Sequence, residues 1–225
     1  MAGLRLLALI VASFVPGLLW VWFFYRQDRY DKEPVYLVII TFVAGMLAVF
    51  PALILELPFK EHLTQPTHLL VRFLVALLVV GLGEEGLKLL AVVVTAFRHR
   101  AFNEPVDGII YAVSASLGFA ALENLFYVLT FGFEVAPVRA VIATLAHASF
   151  GGVAGLYLGL AHRNPRSAWK LALTGLGIAA LLHGVYDFLL IARWTHPIVA
   201  ILLVYFSYRF VTAKIRELQR RRPLR

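Results

Sequence analysis

Cysteine is absent from this chain of 225 residues, which excludes disulfides, thiolate zinc sites and a cysteine nucleophile. Charge is scarce as well. Asp, Glu, Lys and Arg make up 15% of the residues and hydrophobic ones 61%, whereas soluble domains carry roughly a quarter charged and about half apolar residues. Mean hydropathy is +0.82. The apolar residues fall in repeated runs of about 18 or more, the length of helix that crosses a hydrocarbon core about 30 Å thick. A polytopic membrane protein embedded in a lipid bilayer is expected, with no internal repeat or low-complexity segment. The net charge of +8 does not point to nucleic acid, because the basic residues gather in short loops and at the C-terminal end, as the positive-inside rule expects.

The runs predict helices near 4–25, 35–57, 69–97, 105–130, 137–161, 168–191 and 196–212, an all-α transmembrane bundle of about seven spans. The first ends in Trp20-Val21-Trp22-Phe23-Phe24-Tyr25 rather than in a small-residue cleavage site, so it reads as a retained helix with an interfacial aromatic belt. Pro34, Pro105, Pro137 and Pro197 fall near helix starts, where a missing N–H costs nothing, and Asn103 is the expected cap of the fourth helix. Lys and Arg number fifteen in loops 26–34, 98–104 and 162–170 and the tail from Arg209, against Arg5, Lys60, Arg72, Arg139 and Arg193 on the other side. That bias puts the N-terminus outside and the C-terminus in the cytoplasm. Residues 1–212 form one transmembrane domain and 213–225 a basic tail, in which Arg216 to Arg225 rest on anionic lipid.

Against this background a few ionisable residues stand out. Glu84, Glu85 and Lys88 lie inside the third run, and Glu123, His147, His183 and Asp187 inside later ones. Each such group costs about 2.5–3.5 kcal/mol at the bilayer centre, so the set requires partners or a purpose. Helical spacing puts Glu84 with Lys88, Phe119 with Glu123, and His183 with Asp187 on shared faces. His147 shares its face with Gly151, Gly155 and Gly159, a stripe suited to close helix packing. At 1.5 Å per residue the acids and histidines fall roughly 10–20 Å below the outer surface, with Lys88 deeper. Glycines Gly81, Gly83 and Gly86 are placed to widen or break the third helix. Glu56, His62, His68, His99, His162 and His196 read as interfacial or loop residues, and Asp107 as a carboxylate on a helix N-terminal dipole.

The motifs Glu84-Glu85-Gly-Leu-Lys88, Glu104-Pro105-Val-Asp107-Gly108, Gly118-Phe119-Ala-Ala-Leu-Glu123-Asn124, His147 and His183-Gly-Val-Tyr-Asp187 follow one another in the order seen in the PrsW family, which the chain resembles from about Arg26 to Leu190. Asp31-Lys32-Glu33-Pro34 is similar to that family too. The family is similar to the CAAX-processing and bacteriocin-processing endopeptidases, and the prenyl-protein relatives carry histidine where Glu123 stands here. The resemblance implies an intramembrane endopeptidase in a bacterial cell membrane. It also implies a membrane-anchored protein substrate, an anti-sigma factor in the best-known members.

The residues themselves suit peptide hydrolysis. Glu84, assisted by Glu85, activates water; His147 and His183 orient it and stabilise the intermediate; Asp187 orients His183. Glu123 and Asn124 act around the scissile amide, with Lys88 and Phe119 in support. Whether water is held directly or by a metal is left open, although Glu84, His147 and His183 are donors that suit zinc. A proton- or cation-coupled transporter is the alternative from another class, since intramembrane acids and histidines also build ion pathways.

Overall fold

The computed structural model describes residues 2–192 and 196–221. Arg193 and the last four tail residues lie outside them. The helices are α1 (Ala2–Gln27), α2 (Val35–Leu47), α3 (Val49–Glu56), α4 (Lys60–Thr64), α5 (Leu69–Val75), α6 (Leu82–Thr95), α7 (Pro105–Phe131), α8 (Ala136–Val138), α9 (Thr144–Arg163), α10 (Ala168–Ala192) and α11 (Ile198–Arg220). There is no strand among the described residues.

Among the described residues six stretches are long and apolar enough to cross a membrane: Leu7–Gln27, Val35–Thr64, Pro105–Phe131, Phe133–Arg163, Pro165–Ala192 and Ile198–Arg220. The remaining expected span, 69–97, is helical through α5, a wider π-helical segment (Ala76–Gly81) and α6. Glu84, Glu85 and Lys88 set it apart from the other six. The fold is therefore an all-α, multi-pass membrane bundle.

Local chemistry explains several boundaries. Pro51 has no N–H to bond the carbonyl of Leu47, and its ring crowds that carbonyl, so the second span breaks into α2 and α3 at Ala48. At the start of α7 the cap is Glu104 rather than Asn103, in a reciprocal capping box with Asp107. Asp107 Oδ2 accepts the backbone N–H groups of Asn103 and Glu104, both at 2.6 Å. This confirms its place on the helix N-terminus.

In lipid, burial of apolar surface between helices gives little drive, so close backbone packing carries association. The interior pair is α7 and α9. In each span 78% of the most apolar window is buried, against 17% for the first span. The expected glycine stripe makes this possible. A Cβ on Gly155 would collide with the carbonyl of Gly108 and stand 2.5 Å from Ala112 Cβ, and one on Gly159 would strike Pro105. Around the pair, Leu117, Ile109 and Val113 of α7 meet Phe24, Val153, Leu156 and Val211 in one buried cluster. Leu19, Trp22, Ile54 and Phe206 point outward, as lipid-facing residues should.

Candidate active site

Two π-helical segments each lead into a site helix. Ala76–Gly81 precedes α6, and Arg139–Ala143 precedes α9. Such wide turns shift the facing of everything that follows and recur at functional sites. The first lies directly on α10. A Cβ on Gly81 would come within 2.5 Å of Ala180 O and 2.9 Å of Gly184 N, and one on Gly184 within 2.5 Å of Leu77 Cα. Only glycines allow the two backbones this near. A Cβ on Gly83 would meet only Leu55 Cδ1, at 3.8 Å, and one on Gly86 nothing within 4 Å, so the widening comes from the π segment and not from a break at the acidic pair.

That approach brings the neighbour of Gly184, His183, to Glu85, with His183 Nδ1 at 2.8 Å from Glu85 Oε1. His183 Nε2 points the other way, 3.7 Å from Glu84 Oε2 and 3.3 Å from Asp187 Oδ2. His147 is arranged alike. Its Nε2 lies 2.9 Å from Glu123 Oε2, and its Nδ1 faces inward, 4.0 Å from Glu84 Oε2. The two rings meet edge to face at 5.1 Å.

Lys88 does not sit deeper than the acids, as helix rise alone suggests. Side chains on a helix lean toward its N-terminus, and this one reaches back a full turn. Its Nζ lies 2.9 Å from Glu84 Oε2, Glu85 Oε1 and His147 Nδ1 and 4.2 Å from the centre of the Phe119 ring. Of the expected supporting residues, Lys88 and Phe119 thus meet, at one buried ammonium.

A cavity of about 570 Å³ opens beside this cluster, and Glu84, Glu123, His147, His183 and Asp187 line it. Glu85 and Lys88 lie behind the wall, each with a side chain no more than 2% exposed. Asn124 is turned away too. Its Nδ2 donates to Thr144 Oγ1 and its Oδ1 accepts from Arg139 Nε.

Sequence reasoning passed over two residues. Arg139, counted only as an outer-side charge, donates through Nη2 to Glu123 Oε2 at 2.7 Å and stacks 3.6 Å from the Tyr127 ring centre. The uncompensated charge of Glu123 was the signal that a cation had to be near. Glu56, expected at the interface, lines the same cavity; it lies two turns beyond Ala48, where the second span bends. His68 and His196 instead accept backbone N–H groups at the starts of α5 and α11.

Residues 33–213 match the family described as PrsW family intramembrane metalloprotease. The chain is 38% identical over 186 residues to Protease PrsW of Bacillus subtilis, covering 82% of this chain and 84% of that protein. Protease PrsW of Shouchella clausii is likewise 38% identical, with the same shares covered. That of Clostridioides difficile is 31% identical over 208 residues, 88% of this chain and 85% of its own. The chain belongs to the PrsW family. It is an intramembrane protease and a multi-pass bacterial membrane protein. No solved structure shows significant similarity to it.

The family's description as metalloproteases can be weighed against the donors in the PrsW fold found here. Glu84, His147 and His183 each offer one atom, all within 4.8 Å of one another. Ligands of a tetrahedral zinc stand about 3.3 Å apart, so the 3.7 and 4.0 Å separations would have to close by about 0.4 and 0.7 Å. The outward nitrogen of each ring meets a carboxylate, Glu123 for His147 and Glu85 for His183. That carboxylate–histidine pairing fixes the tautomer and raises ligand basicity in metal sites. Lys88 Nζ already sits as a cation against two of the three donors. The residues fit a metal.

Proposed function

We propose that this protease cuts a peptide bond of a membrane-anchored protein at the cavity lined by Glu84, His147 and His183, on the side of a cell membrane facing away from the cytoplasm. The orientation rests on the charge bias of the loops. An anti-sigma factor is the substrate class that the resemblance to PrsW proteins supplies. The observation that carries the reading is the pairing of each histidine with its own carboxylate while both present a second nitrogen toward Glu84.

Glu84, His147 and His183 would hold a metal, with zinc the ion that two imidazoles and one carboxylate suit best. Such an ion would supply Lewis acidity, for a water made acidic near neutral pH and for the scissile carbonyl. The chain's own groups do the rest. Glu123 and Glu85 keep the two rings in the orientation that presents Nδ1 of His147 and Nε2 of His183 inward. Asp187, beside His183 and facing the cavity, takes the proton of the attacking water and returns it to the leaving amine. Arg139, held by Glu123, Asn124 and Tyr127, sets a positive charge in the cavity wall near the developing oxyanion. The buried ammonium of Lys88 stands 2.9 Å from both Glu84 and Glu85.

The test is purified protein reconstituted with single-span peptides of known sequence, with fragments identified by mass spectrometry and metal measured by elemental analysis. Cleavage at one bond near the outer boundary of the peptide's apolar segment, with about one metal ion per chain and loss of both on chelation, is expected. Intact peptides, or equal cleavage by the His183→Ala variant, would refute the assignment.

A further inference from the structure

Away from the catalytic cavity, at the opposite end of the bundle, a second cavity of about 630 Å³ lies where α1 and α11 end side by side. Its wall holds four arginines, Arg26 and Arg29 from α1 and the turn after it, and Arg216 and Arg220 from α11. Arg216 and Arg220 are one helical turn apart and share a face. Glu217, the carboxylate nearest to them in sequence, is taken by Lys214 at 2.7 Å and Arg221 at 2.8 Å. Among the described residues none of the four arginines forms an ion pair, and Arg26 lies over the Trp22 ring at 5.0 Å.

Two further observations indicate a ligand rather than a charge bias alone. Gln27 also lines this cavity, and its Nε2 is buried with no hydrogen-bond partner, although Gln219 Nε2 donates to the Gln27 carbonyl at 2.6 Å. A buried amide donor without an acceptor is costly, and an anionic oxygen drawn in by the four guanidinium groups would supply one. Below the arginines, toward the bilayer, the wall turns aromatic with Trp22 and Phe23. Trp22 is 57% exposed on a membrane-capable helix.

We propose that this cavity binds one anionic phospholipid, its phosphate taken by Arg29, Arg216 and the Gln27 amide and its glycerol and upper acyl chain laid along Trp22. A head that needs guanidinium donors and a body that needs an apolar face define an amphiphile, which neither free phosphate nor an acidic peptide satisfies. Arginine forks match phosphate oxygens, and basic pockets between helices at a membrane surface are the setting in which headgroups are held.

Native mass spectrometry of the full chain in detergent, titrated with phosphatidylglycerol, tests this. One lipid should be retained per chain. Occupancy should fall about 30-fold in Arg29→Gln/Arg216→Gln, about fivefold for each arginine removed, and stay unchanged in Arg98→Gln/Arg100→Gln, which removes the same charge from an exposed loop. Trp22→Ala, which keeps every charge, should also lower occupancy and serves if the double variant does not fold. Equal loss in the loop variant would reduce the site to diffuse surface charge. Equal retention of phosphatidylcholine, or displacement of the lipid by inorganic phosphate or by a tail-less acidic peptide, would equally overturn the proposal.

Discussion

Among the described residues the chain buries two groups of acids, and only one of them has the make-up that the proposed reaction needs. Glu84 with His147 and His183 at one end, and Asp28 with Glu33 and Asp107 at the other, each bring three donor atoms within 4.8 Å. They lie near opposite ends of α7, where Asp107 and Glu123 are 16 positions and so about 24 Å apart. The first group mixes acids with imidazoles, a lysine and an arginine, and opens on a cavity. The second has no histidine or basic side chain among its donors. Its acids meet backbone N–H groups, and the Tyr111 hydroxyl donates to the Glu33 carboxylate. Burial of carboxylates is common to both, so burial does not identify a site. What differs is that one group holds cations against its acids and turns one nitrogen of each histidine toward Glu84, while the other ties a loop to a helix start.

The largest expected effect separates the two groups by function. Glu84→Ala or His183→Ala should lower peptide cleavage about a thousandfold, within the range for loss of a group acting on the reacting atoms. Asp107→Asn, which keeps an oxygen for the N–H groups of Asn103 and Glu104, should stay within about threefold of the parent. Fragment yield per unit of folded protein in liposomes measures both. A comparable loss in Asp107→Asn would end the distinction.

Stability should separate them next. Lys88→Met leaves Glu84 and Glu85 buried without their shared cation, and removing one member of a buried charge cluster costs about 3–5 kcal/mol. Tyr111→Phe removes a single donor from Glu33 and should cost about 1–3 kcal/mol. Melting in detergent, with cleavage followed in parallel, would show a large drop for Lys88→Met and a small one for Tyr111→Phe. The reverse order would mean that the tie between loop and helix, and not the ammonium, carries the fold.

Much of this could be read before any coordinates. Apolar runs marked the spans because a helix in lipid must be apolar nearly throughout, and the same rule made Glu84, Glu85, Glu123, His147, His183 and Asp187 visible as exceptions. Five of those six line one cavity. Glu85 stays behind the wall, since adjacent helix positions differ by about 100° in direction and one acid alone can face inward. The residues that escaped notice are those whose meaning depends on bends. Glu56 and Arg139 sit near span ends, where a charge is ordinary, until the break at Ala48 and the π turn at 139–143 direct them into the cavity. No pattern with a period of 3.6 residues foretells a wider turn. The lean of Lys88 was knowable from side-chain direction, which a count of rise per residue leaves out.

The smallest effect concerns pH and the loop that joins α1 to α2. Burial, with the neighbouring charge of Asp107, pushes the Glu33 carboxyl up from its ordinary 4.5 to about 9, and burial likewise raises that of Asp28. Between about pH 4.5 and 9 the folded chain therefore keeps a proton on Glu33 that the unfolded chain has released, so stability is complete below this window and declines as pH rises through it. Glu33→Gln leaves an oxygen to accept from Tyr111 and no proton to lose. It should flatten the decline and make the protein more stable than the parent at pH 8. Melting temperatures from pH 5 to 9 in detergent would show the two curves diverging only on the alkaline side. A constant offset at every pH would instead mean that the substitution acts through packing, and that the loop is held by shape rather than by the proton on Glu33.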